Sequence, residues 1–112
     1  ESLFESHEAM EVERVLTAIA DPHTERLLRA ALVTDMIGIS GEELDRLLKD
    51  DTSWDRWLVK FRGYHELWRD RSFVVMFRHL LSELDVLPRL ISFADGERRN
   101  TNLLQHFPAA FD

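Results

Sequence analysis

The sequence predicts an all-α fold, a compact bundle of six or seven helices forming a single domain over residues 1–112. Apolar residues recur every three or four positions through most of the chain, and the breaks between these runs carry helix caps and turn residues. No alternating strand pattern of useful length and no internal repeat is present. With 112 residues, 45% of them hydrophobic, the chain is long enough for one real core.

Each element follows from its own residues. Residues 1–5 read as a frayed lead-in, and a helix from Ser6 places Val12, Val15, Leu16 and Ile19 on one stripe, with Glu8, Glu11, Glu13 and Arg14 on the other side. Asp21-Pro22 stops it and is expected to restart the next helix, aspartate as N-cap and proline at the first helical position. That second helix, over 22–34, should bury Leu27, Leu28, Ala31 and Leu32 and pair Glu25 with Arg29 on its wet face. The apolar loop Met36-Ile37-Gly38-Ile39-Ser40-Gly41 leads into Ser40-x-x-Glu43, a capping box. The short helix it opens, over 41–49, should turn Leu44, Leu47 and Leu48 inward.

Asp50-Asp51-Thr52-Ser53 ends that helix and caps the longest one, whose stripe Trp54, Trp57, Leu58, Phe61, Tyr64 and Trp68 is rich in rings. Helical spacing assigns these rings to the core rather than to stacking on bases. Gly63 interrupts the stripe at about 1 kcal/mol relative to alanine, which suggests the close approach of another backbone. His65 and His79 are expected to be partly buried and hydrogen-bonded. After Asp70-Arg71-Ser72 a further helix carries Phe73, Met76, Phe77, Leu80, Leu81 and Leu84. Pro88 forces a break or a new first turn, so 89–93 should be briefly helical before Asp95-Gly96, and the last helix should run over 97–106.

Charge and composition narrow the function. A net charge of −7 argues against an autonomous nucleic-acid binder, because non-specific DNA affinity comes mainly from cations that displace counterions. Of the 14 basic residues only Lys49 and Lys60 are lysines, so nearly all the positive charge is guanidinium. With no cysteine there is no disulfide or thiolate chemistry. The lack of a long apolar run and of a secretory leader pattern leads to the expectation of a cytoplasmic chain without membrane contact.

Catalytic motifs fail one by one. No lysine follows a glycine as a phosphate loop requires. His7-Glu8-Ala9-Met10-Glu11 departs from H-E-x-x-H at its last position, so it reads as a solvated first helical turn and no metal site is assigned. Gly38-Ile39-Ser40-Gly41 misses G-x-S-x-G and follows no strand, which leaves Ser40 as a cap. Two candidate contact sites for an anionic partner are left. The helix entry at Gly38, Ile39, Ser40 and Gly41 offers amide N–H groups and a positive dipole end to a phosphate. Arg98 and Arg99, with Arg89 expected near them, form the densest basic spot, suited to phosphate or to ion pairing with Asp95 and Glu97.

Asp95-Gly96-Glu97-Arg98-Arg99-Asn100-Thr101-Asn102-Leu103-Leu104 resembles the D-G-E-R-R-x-T-N-L-L signature of RecB-type helicase-nuclease subunits, the beta subunit of exodeoxyribonuclease V. Leu3-Phe4-Glu5-Ser6-His7-Glu8-Ala9 is similar to their S-V-F-E-S-x-E-A segment, and the run from Asp21-Pro22 to Leu32 resembles D-P-x-x-E-x-L-x-x-A-L. Gly38-Ile39-Ser40 falls where UvrD-like relatives carry a G-I-G turn. The resemblance implies part of a 2B-type accessory subdomain of a superfamily 1 helicase that unwinds and degrades DNA ends in recombinational repair. It implies DNA, the parent's own motor domains and its sister subunits as partners. ATP and Mg would belong to the parent, with no cofactor and no catalysis in this stretch. Ser40 stands where the UvrD-like turn has glycine and Asn100 where the family usually has leucine, and after His106 the expected leucine-rich helix gives way to Phe107-Pro108-Ala109-Ala110-Phe111-Asp112. A helical protein-interaction module without DNA contact is the alternative.

Overall fold

Short polar side chains set most of the helix boundaries in this molecule. The computed structural model describes residues 7–92. Within them run α1 (His7–Ala20), α2 (Glu25–Leu32), α3 (Gly41–Leu48), α4 (Asp51–Asp70), α5 (Phe73–Glu83) and α6 (Val86–Ile91), with no strand among the described residues. The expected lead-in over 1–5, the Asp95-Gly96 turn and the helix over 97–106 lie outside them.

The capping box forms as expected: Glu43 N–H donates to Ser40 Oγ at 3.1 Å while Ser40 N–H donates to Glu43 Oε1 at 3.4 Å. Asp50 caps α4 by accepting from the Thr52 and Ser53 N–H groups, and the Ser53 hydroxyl donates to its second oxygen at 2.8 Å. These bonds, the Ser53 hydroxyl foremost, hold the Asp50 carboxyl below the usual carboxylate range. Ser72 caps α5 through Val75 N–H.

The core lies where α1 packs on α2 and α4, and α4 packs on α5; α3 adds to α4 from outside and α6 to α5. Val12, Val15 and Ile19 meet Leu28 and Leu32 there, together with Phe61, Tyr64, Met76, Phe77 and Leu80. The ring stripe is core, as its spacing predicts. Trp57 meets Phe61 edge-on at 6.4 Å between centroids, Phe61 meets Tyr64 at 5.8 Å, and Phe73 stacks on Phe77 at 5.2 Å. The outer rings Trp54, Trp57 and Trp68 are half-buried. His65 Nδ1 bonds Ile19 O at 2.9 Å and ties the end of α1 to α4.

Several expectations are corrected. Asp21-Pro22 does not open α2: Pro22 is buried in a turn closed by Thr24 N–H on Asp21 O, the Thr24 hydroxyl donates to Asp21 Oδ2 at 2.5 Å, and Thr24 is the N-cap. The Glu25–Arg29 pair is present at 3.4 Å. Helix α2 stops at Leu32 rather than at 34, because the Thr34 hydroxyl bonds Ala31 O and turns the chain. Leu48 is 40% exposed: α3 rests on α4 along one side only, and Leu44 and Leu47 occupy it. Among the described residues a Cβ at Gly63 would meet nothing within 4 Å, so none of their backbone approaches there. Pro88 sits inside the first turn of α6, where its missing N–H costs nothing, and the helix starts three residues earlier than expected, after Asp85 in a left-handed conformation at φ 52°.

His79 is exposed rather than partly buried, and it joins a polar cluster on the outer side of α4 and α5. Tyr64 O–H donates to Glu83 Oε1, Lys60 Nζ lies 3.4 Å from that oxygen, and His79 Nε2 lies 3.6 Å from Glu83 Oε2. Burial and then Glu83 push the Tyr64 phenol far above its ordinary range, while the Tyr64 hydrogen bond first, and the Lys60 charge after it, hold Glu83 below its own. A carboxylate held down in the folded state contributes stability above its unfolded pKa of about 4.3, and that contribution fades as pH falls through the folded value. Tyr64→Phe is therefore expected to cost about 1 kcal/mol at pH 7, a charge-assisted bond discounted for the partial exposure of Glu83. In urea unfolding at pH 7 and pH 3 the cost should be smaller at pH 3; an equal cost at both would show that the Glu83 charge is not involved.

Candidate nucleic-acid interface

Residues 33–40, between α2 and α3, form the segment that the sequence offers to a phosphate, and the structure ties it down from three directions. The first tie is local. Thr34 O accepts from Gly38 N–H at 2.7 Å, Leu32 O accepts from Ile39 N–H at 3.0 Å, and the Thr34 hydroxyl accepts from Ile37 N–H at 3.4 Å. Met36 and Ile37 are buried against the core, so the loop is anchored by apolar side chains as well as by its own backbone bonds.

The second tie comes from α6. Arg89 Nη1 donates to Met36 O at 2.7 Å and to Leu84 O at 2.8 Å, linking the loop to the α5–α6 corner. Its side chain crosses directly over Gly38, which has φ +84°; a Cβ at Gly38 would stand 2.5 Å from both Cδ and Nε of Arg89. Glycine is thus required twice at this position, for the left-handed backbone and for the arginine that lies on it. Arg89, expected near Arg98 and Arg99, serves the fold here. Arg98 and Arg99 themselves lie outside the described residues.

The third tie comes from α1. Glu11 Oε2 accepts from Asp35 N–H at 3.0 Å across 24 positions of sequence. His7 Nε2 stands 3.1 Å from the same oxygen and 3.8 Å from Asp35 Oδ2. Glu8 and Glu11 are both buried, at 7% and 3% exposure, so the start of α1 is not the solvated turn that its charge suggests. Asp35, the residue that completes this cluster, carries no signal in sequence, because nothing local marks which helix an isolated loop aspartate will face.

Three of the four amides expected to face a phosphate are engaged within the protein: Gly38 with Thr34 O, Ile39 with Leu32 O, and Ser40 with Glu43 Oε1. The open end is at Gly41, where a Cβ would meet nothing within 4 Å. Glu42 and Glu43 occupy the first turn of α3 and already face its positive dipole end. Beside them a groove of about 350 Å³ between α3 and α4 is lined by Ile39, Glu43, Arg46, Asp50 and Trp57 among others. Any phosphate at this loop would therefore approach the exposed Gly41 end and meet carboxylates as well as amides.

The Gly38–Arg89 contact yields a double-mutant test. Gly38→Ala should cost about 2 kcal/mol or more in urea unfolding, from left-handed strain of roughly 1 kcal/mol plus the collision with Arg89. In an Arg89→Ala background only the strain should remain, so the double variant should cost less than the sum of the two single variants; strictly additive costs would contradict the contact.

No protein-family model matches the chain. It is 38% identical over 104 residues to the RecBCD enzyme subunit RecB of Escherichia coli K12, a match that covers 93% of this chain and 9% of that relative. It is 30% identical over 103 residues to RecB of Haemophilus influenzae, covering 92% of this chain and 8% of that relative. Against RecB of Buchnera aphidicola the identity is 24% over 106 residues, 95% of this chain and 8% of that relative. The chain thus spans less than a tenth of the length of the curated relatives it matches, and over nearly all of its own length it is homologous to one segment of RecB.

Proposed function

We propose that this chain is an accessory helical element of a RecB-like helicase-nuclease subunit acting in double-strand-break repair and recombination, a passive grip on DNA or on neighbouring parts of that enzyme, with no catalysis of its own. The 38% identity to Escherichia coli RecB across 93% of the chain carries this reading. A 2B-type location in the motor is the finer proposal, supported by Gly38-Ile39-Ser40 standing at a turn before a capped helix. In this reading ATP, Mg²⁺ and the nuclease carboxylates belong to other segments of the parent, and the motor domains and sister subunits are the docking partners. DNA contact would fall to the Gly38-Ile39-Ser40-Gly41 helix entry, at its open Gly41 end, and to Arg98 and Arg99.

A second reading, a helical interaction module without DNA contact, is favoured by one observation: three amides of that entry are already bonded internally, in a chain of net charge −7. Titration of a labelled duplex end with the chain at low and moderate salt separates the two. The DNA-grip reading expects weak binding that falls steeply with salt and is roughly tenfold weaker in an Arg98→Glu/Arg99→Glu variant. Binding unchanged in the variant would remove the arginines from the account, and no binding at low salt would leave the interaction module.

A further inference from the structure

The three-residue cluster at the start of α1 has a chemistry that DNA contact does not use. His7 and Glu11 lie one helical turn apart on the same face, and Asp35 reaches them from the loop after α2. The His7 imidazole and the two carboxylates each offer one donor atom, and these atoms all lie within 4.8 Å of one another, with His7 Nε2 at 3.1 Å from Glu11 Oε2 and 3.8 Å from Asp35 Oδ2. We infer that His7, Glu11 and Asp35 bind a divalent transition-metal ion of the Zn²⁺ class, which staples the start of α1 to the 33–40 loop.

Geometry, donor chemistry and burial point the same way. Ligands bound at about 2.1 Å in a tetrahedron stand about 3.4 Å apart; the two distances from His7 bracket that value and all three donor atoms lie within 4.8 Å of one another, so side-chain rotation draws them around one ion. One imidazole with two carboxylates suits a borderline ion, whereas Ca²⁺ and Mg²⁺ favour oxygen donors alone. The Glu11 side chain is only 4% exposed, and Asp35 N–H fixes its orientation, as hydrogen bonds from outside the coordination sphere do for carboxylate ligands. His7 and Asp35, with side chains 62% and 40% exposed, leave an entry path and room for a water as fourth ligand.

The test is calorimetric titration of the chelator-treated chain with ZnCl₂, together with its thermal midpoint with and without the ion. Expected are one ion bound per chain and a midpoint raised by roughly 10 °C when free Zn²⁺ is a hundred times its Kd. His7→Ala and Asp35→Asn, both at partly exposed positions that a folded chain tolerates, should each weaken binding at least tenfold and abolish most of the midpoint shift. His23→Ala, at an exposed histidine away from the cluster, should change neither. No uptake of Zn²⁺ by the unmodified chain would overturn the proposal, as would uptake that survives in both variants. A His7→Ala variant that is destabilised while the unmodified chain is indifferent to the ion would also overturn it, and would reduce the cluster to an ion pair.

Discussion

The guanidinium of Arg89, lying across Gly38 and bonded to the carbonyls of Met36 and Leu84, is the contact on which the arrangement of the molecule depends. It joins residues 53 positions apart and fastens the loop after α2 to the corner between α5 and α6. Each carbonyl belongs to a buried residue, Leu84 at the exit of α5 and Met36 in the loop after α2, where no helical partner is at hand and another donor is needed. One nitrogen supplies both. The left-handed turn at Asp85, just after Leu84, and the left-handed Gly38, two residues beyond Met36, lie beside the two accepting carbonyls.

Around this tie the candidate interface acquires its character. Glu11 holds Asp35 from the α1 side, Arg89 holds Met36 from the α6 side, and the capping box holds the entry to α3. A segment fixed this way would present one geometry to whatever docks on it. The same ties consume donors. The glycine that a phosphate-binding reading would assign to close ligand approach is accounted for by Arg89, and the Ser40 amide by Glu43. The arrangement leaves the Gly41 end of the loop, not its centre, as the place where a partner would meet the backbone.

Local physics made much of this legible in sequence. The capping box at Ser40 and Glu43, the cap at Asp50, the ring stripe of α4 and the core stripe of α1 all follow from residues within a few positions of one another. What was not legible depends on distant partners. Nothing near Met36 marks Arg89 as its donor, and nothing near Glu11 marks Asp35. Asp21-Pro22 misleads because the core takes the proline and the aspartate accepts the Thr24 hydroxyl, shifting the cap by three residues. Gly63 misleads because a helix interior tolerates a glycine that no other described residue approaches. Kinship with RecB was legible from short motifs, and the sequence match extends it over nearly the whole chain, although the Arg98-Arg99 motif itself lies outside the described residues.

The 33–40 loop is fixed rather than mobile, and native-state hydrogen exchange tests that most directly. The amides of Asp35, Gly38 and Ile39 donate to the Glu11 carboxylate, Thr34 O and Leu32 O. They should exchange only through openings nearly as costly as those that expose the core amides of α4. Exchange of these three at the rate of an unstructured peptide, while α4 stays protected, would contradict the account.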